Sequence, residues 1–275
     1  MMKPQLNEAL DLFQSAKVYD LGVDLFTGMP RYPSHPPFLY GMAKRHGDLV
    51  NAAAGREISS AVDAISMGTH VGTHIDGLGH FSCNGCLYGD VPVTGNQSYE
   101  SGLARHGVET IAPILRRGVL LDVAGLFGDK PLLADFLIEP EHLQEACRVQ
   151  SVNVSRGDVA LIRTGWGQHW PDAIAFVTAG KGNVTVNPGP GEAAAKWLSA
   201  KGVFATGADN LTFEKVPSAF PAHVHLLVES GIHIIEVLNL EQLARDNVWE
   251  FLFIAQPLKI RGGTGSPIRP VAVVV

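Results

Sequence analysis

MGTHVGTHIDGLGHF, residues 67–81, sets three histidines and one aspartate among four glycines. His70, His74, Asp76 and His80 fall at i, i+4, i+6 and i+10, all even offsets, so an extended segment presents them on one face. A helix fits less well. It would align His70 with His74 but turn Asp76 away, and Gly68, Gly72, Gly77 and Gly79 would each cost it about 1 kcal/mol relative to alanine. A straight strand also fails, because at ~3.3 Å per residue His70 and His74 would stand about 13 Å apart, too far for two ligands of one ion. The chain is therefore expected to bend near Gly72, where two imidazoles and a carboxylate can form a facial site for a divalent metal with coordination positions left open. If buried, these groups need partners, which either a metal or a hydrogen-bonded loop network supplies. His80 is either a further ligand or a nearby acid/base.

The 275 residues suffice for a sizeable core, and 46% hydrophobic with 17% charged residues is ordinary globular composition. A net charge of -6 without a Lys/Arg block gives no footprint for nucleic acid or an anionic membrane, so the expected partner is a small molecule. The first twenty residues lack the continuous apolar stretch of a secretory signal, and no later segment approaches the ~20 apolar residues of a membrane span. Three cysteines form no disulfide framework and suit a reducing compartment, so the expected location is cytoplasmic.

Along the chain, residues 4–17 have the spacing of a short amphipathic helix through Leu6, Leu10 and Phe13, an N-terminal extension to a domain covering 18–275. A strand is expected at 18–25, an irregular proline-rich crossing at 27–38 and a strand at 57–67. Asn84-Gly85 marks a tight turn. Buried strands are expected at 118–124 and 159–164, and further strands at 203–207, 231–238, 249–254 and 268–275. Helices are expected at 139–148, 191–200 (ending at Gly202) and 221–230, a short helix or turn at 241–247, and a glycine-rich turn over 262–267. Helices alternating with strands make the class α/β, one domain with a mixed, curved sheet.

A second constellation, His223, His225, His233 and Glu236, lies in PAHVHLLVESGIHIIEVL. A helical start lets only one of His223 and His225 face a site. In the following strand Glu236 shares a side with Ile234, where a charge needs a metal, an arginine or strong hydrogen bonds. From the residues alone the group divides evenly between site and surface. The cupin-like spacing of His223, His225 and Glu229 lacks its downstream partner motif and a jelly-roll setting. Cys83 and Cys86 form a CxxC without a matching second pair and read as two unlinked thiols. HExxH, GxSxG and Walker patterns are absent. Trp166, His169 and Trp170 suit either a pocket lining or core and rim packing.

HVGTHIDGLGH closely resembles the HxGTHxDxPxH signature of the cyclase family of metal-dependent hydrolases, which includes kynurenine formamidases and isatin hydrolases. DLGVDLFTGMPRYP, GDVALIRTGW, FPAHVHLLVESGIHIIEVLNLEQL and PLKIRGGTGSPIRPVAVV extend the resemblance from about Val18 to the C-terminus. It implies a swivelling β/α/β fold in dimers or larger assemblies, a homodimer or homotetramer here. It also implies His70, His74 and Asp76 as metal ligands, His80 as catalytic acid/base, and His223 with Glu236 completing a second site that shares the aspartate. The cofactor implied is Zn²⁺ or Mn²⁺, as one or two ions. Leu78 replaces the signature proline between Asp76 and His80.

The expected reaction is hydrolysis of a carbon–nitrogen amide bond, in an arylformamide or a small cyclic amide, by metal-activated water, with His80 relaying the proton. Lactone or ester hydrolysis, dehydration, and a non-catalytic metal-stabilised binding protein are the alternatives. Pocket shape is expected to depend on the 27–38 loop and the region around Trp166.

Overall fold

Nine strands build the central sheet of the computed structural model, which describes residues 11–275 apart from 13, 54 and 55. They are β1 (Lys17–Asp20), β2 (His74–Asp76), β3 (Ile114–Asp122), β4 (Val159–Arg163), β5 (Ala205–Ala208), β6 (His233–Glu236), β7 (Glu250–Ala255), β8 (Gly265–Pro267) and β9 (Val271–Val274). The spatial order is β1-β9-β7-β3-β4-β5-β6-β2-β8. β3 to β6 run parallel, and antiparallel strands flank them on both sides.

The parallel strands are apolar on both faces because each face is covered. Val119, Leu121, Ala160, Ile162 and Ile234 join a core roofed by α1 (Pro140–Gln150), α2 (Glu192–Lys201) and the helical segment 221–230. Their neighbours Leu120, Val159, Leu161 and Ile235 point the other way, into a core with Tyr19, Ile75, Leu243 and Phe253. Pro140 occupies the first turn of α1, and Gly202 ends α2 in the left-handed region at φ 72°.

The expected single α/β domain with a mixed sheet is what forms, with corrections at two places. The strand expected at 57–67 divides into Arg56–Ile58 and Val62–Ser66. These pair with Asn51–Ala53 and Leu39–Lys44 in two-stranded ribbons outside the main sheet. Second, the glycine-rich stretch expected only as a turn contains β8, paired with β2. Gly265 is needed there, because a Cβ would run into the His70 ring. The expected N-terminal helix lies largely outside the described residues, with Leu6, Leu10 and Phe13; residues 11, 12, 14 and 15 are helical. No described helix is long and apolar enough to cross a membrane.

Candidate metal centre

The bend expected near Gly72 is present. Gly72 takes φ +68°, and a Cβ there would stand 2.5 Å from Leu25 Cδ2, so glycine is required by conformation and by space. From this bend His70 folds back until its Nδ1 lies 2.6 Å from Asp76 Oδ1, with its Nε2 2.9 Å from the Thr264 hydroxyl. Beyond Asp76, the Gly77 carbonyl accepts the His80 N–H at 2.9 Å and closes a turn with Leu78 at its second position. The turn forms without the signature proline, and Leu78 packs against the helix-side core. The His80 ring stacks on His70 with centroids 3.9 Å apart.

The second constellation meets the first through strand register. Glu236 on β6 stands opposite His74 on β2, and both side chains share the helix-covered face. His223, from the start of the segment 221–230, reaches over the same face and places Nε2 3.3 Å from Glu236 Oε1. His225 points away, where its ring bonds the Ser199 hydroxyl and Glu229. His233 lies on the opposite side of its strand and donates to the Asp76 carbonyl.

Two groups of three donors result, His70–His74–Asp76 and Asp76–His223–Glu236, each with ligand atoms within 4.8 Å of one another. The proton placement makes the case for a cation. His74 Nδ1–H donates to the Gly72 carbonyl at 2.8 Å, which leaves the Nε2 lone pair facing Asp76 at 3.6 Å and Glu236 at 3.3 Å. That nitrogen and Asp76 Oδ2 are buried and have no hydrogen-bond partner. His223 repeats the pattern, its Nδ1–H donating to Glu214 Oε2 at 2.7 Å while Nε2 faces Glu236. Lone pairs facing carboxylates in a buried site call for a proton or a metal ion between them, so these residues fit a divalent cation.

The electrostatics agree. Burial opposes charge at His223, but Glu214 and Glu236 outweigh it and push the imidazole up to about 10. His74 is raised for the same reason, by Glu236 and Asp76 against burial. Burial alone would lift Asp76, yet the surrounding His80, His70 and His74 hold its carboxyl below the usual range. His80 goes the other way. Desolvation dominates and pushes it down to about 3, so it is neutral at neutral pH.

A cavity of about 150 Å³ opens over these groups, lined by Tyr32, His35, His80, Phe81, Leu211, Thr212, Phe220, His223 and Glu236. Larger clefts elsewhere, such as the one beside Asp20 and Arg269, hold none of the converging residues. The proline-rich loop supplies Tyr32 and His35, as expected of it. Trp166 does not reach the cavity: it is buried in a separate core cluster, with its indole N–H donating to the Phe176 carbonyl. Glu214, which is 1% exposed and also accepts the His223 backbone N–H, went unread in the sequence, as did Thr264. Glu214 sits in no motif, and Thr264 lies in the GGTGSP stretch, where the resemblance gave it no role.

A family model described as a putative cyclase matches residues 19–215. The chain belongs to the cyclase family. Among its relatives in that family, an isatin hydrolase of Roseibium aggregatum is 27% identical over 76% of this chain and 73% of its own length. A kynurenine formamidase of Bacillus cereus is 28% identical over 92% and 95%. A solved structure of a novel cyclase superposes with a TM-score of 0.85 at 30% identity, covering 100% of this chain and 94% of the other. The cyclase-family signature thus coincides with the residues that converge in space.

Proposed function

We infer that the protein is a metal-dependent hydrolase that cleaves a carbon–nitrogen amide bond of a small aromatic substrate, with His70, His74, Asp76, His223 and Glu236 as metal ligands. The observation that carries this reading is the pair of imidazole lone pairs, on His74 and His223, turned toward buried carboxylates beneath a cavity. Imidazole and carboxylate donors suit Zn²⁺ or Mn²⁺, and two donor groups sharing Asp76 accommodate one ion or two. Such an ion supplies Lewis acidity toward a carbonyl and lowers the pKa of water toward 7.

The chain's own residues provide the rest. Tyr32, Phe81 and Phe220 wall the cavity with rings, with Phe81 and Phe220 at 5.7 Å, which suits a flat aromatic substrate. His80 lies at the cavity, neutral and stacked on a ligand, where it accepts a proton as water attacks and returns it to the departing nitrogen. Among the described residues no lysine or arginine lines the cavity to pair a substrate carboxylate, which favours a compact cyclic amide such as isatin over N-formylkynurenine. Assays of the metal-loaded protein on both compounds test this, with ring opening of isatin the faster reaction. Turnover of neither would overturn the reading.

The ribbon of Leu39–Lys44 and Val62–Ser66 exposes Leu39, Tyr40, Met42, Val62 and Ile65, each by half or more. A two-stranded ribbon is marginal alone, so this one supports a homodimer or homotetramer in which it packs on another copy. Light scattering on the purified protein measures the state, and a monomer would refute it.

A further inference from the structure

Cys83 and Cys86 occupy one tight hairpin turn. Each donates its N–H to the other's carbonyl, at 2.9 and 3.0 Å, and between them Asn84 and Gly85 both take positive φ, 50° and 77°. This is the left-handed pair that a two-residue hairpin turn needs. Residues directly opposed across such a ladder project their side chains to the same face. A hydrogen-bonded pair has Cα atoms about 5.5 Å apart, inside the roughly 4.4–6.8 Å window of disulfides, while its Cβ atoms stand about 1 Å farther apart than a disulfide holds them, so the bond closes with strain and is readily reduced. Both thiols are free and half-exposed. The sequence reading of two unlinked thiols therefore describes the reduced state of a pair already in register.

We propose that Cys83 and Cys86 form a reversible redox pair that closes to a disulfide across this hairpin turn. Oxidation by a low-molecular-weight disulfide proceeds through two exchanges. A thiolate of the pair attacks one sulfur of the small disulfide, forming a mixed disulfide and releasing one small thiolate. The neighbouring thiol loses its proton to solvent and attacks the protein sulfur of that mixed disulfide. The Cys83–Cys86 bond forms and the second small thiolate leaves, so the pair gives up two electrons and the small disulfide takes up both. The bond would close only a four-residue loop, which gains little from chain entropy and stays open to reduction.

The location ties this turn to the candidate metal centre. Phe81, two residues before Cys83, lines the cavity. Tyr88, two residues after Cys86, packs over Gly231 at the end of the helical segment that carries His223, so closely that a Cβ on Gly231 would meet its ring at 2.5 Å. Cys147 differs: it sits on α1 against the helix-side core, and burial pushes its thiol up, away from the reactive thiolate. The proposal does not depend on the hydrolase reading.

The test equilibrates the native full-length protein anaerobically in glutathione buffers from fully reduced to fully oxidised. Acid quenching, unfolding, alkylation and peptide mapping then follow each cysteine. Cys83 and Cys86 should disappear from the alkylated pool together and reappear as one cross-linked peptide with two hydrogens lost, while Cys147 stays alkylated; dithiothreitol should reverse the change. Cys86→Ser should instead accumulate a glutathione adduct at Cys83, and Cys147→Ser should behave as the parent. Cys83 and Cys86 that stay alkylated throughout, or that carry separate glutathione adducts, would overturn the proposal.

Discussion

Glu236 stands directly across the β6–β2 ladder from His74, with Oε2 3.3 Å from His74 Nε2, the ring nitrogen that the Gly72 carbonyl leaves free. One register thus joins the signature at 67–81 to a segment some 160 residues later. Glu236→Gln preserves the shape and removes the charge. Its metal content, measured by elemental analysis, should fall below that of the parent, with His70, His74 and Asp76 retaining the larger share. Unchanged loading would remove Glu236 from the ligand set.

Glu214 acts through His223, whose ring and backbone N–H it both holds. Replacing the partner that orients a ligating histidine typically weakens metal affinity by about 10–100-fold. Glu214→Gln should show a loss of that size by titration calorimetry, and Glu214→Asp a partial rescue. Equal affinities would make the contact merely structural.

His80 contributes no atom to either donor group. His80→Ala should lower turnover by about 10²–10⁴, the usual worth of a positioned acid/base, while metal content stays at the parental level. A variant that loses both would identify His80 as a ligand.

Asp209 gives a pH dependence of stability. Its carboxyl is buried, with Oδ1 accepting the Thr164 N–H and hydroxyl and Oδ2 unpartnered, and burial pushes it from 3.8 up to about 6. The folded state holds this proton more tightly than the unfolded chain. The cost of ionising Asp209 is therefore absent below the unfolded pKa, grows between pH 4 and 6, and reaches about 3 kcal/mol above that. Asp209→Asn removes this dependence. Relative to the parent, its urea stability should improve by about 2 kcal/mol between pH 4.5 and 7.5. A constant difference would mean that Asp209 folds already ionised.

The convergence of the signature histidines with Asp76 was legible in the sequence because even spacing puts them on one face, and the bend at Gly72 followed from distance alone. The parallel strands were legible as continuous apolar runs. The pairing of Glu236 with His74 was not, since register between strands so far apart depends on the whole sheet. Thr264 was invisible for a related reason, since it serves a histidine far away in the sequence, and Glu214, though close to His223 in the chain, follows no periodicity that would mark it. β8 was read as a turn because Gly265 suits both, and the tight approach of the His70 ring decides between them only in three dimensions.

The central claim is that the buried imidazole and carboxylate set exists to hold a divalent ion that the reaction needs. The most direct measurement is elemental analysis of the purified protein alongside isatin turnover, before and after chelation and after readdition of Zn²⁺ or Mn²⁺. The expected result is one or two ions per chain, with turnover lost on chelation and restored on readdition. Protein that binds neither ion, or that turns over isatin equally well after complete chelation, would contradict it.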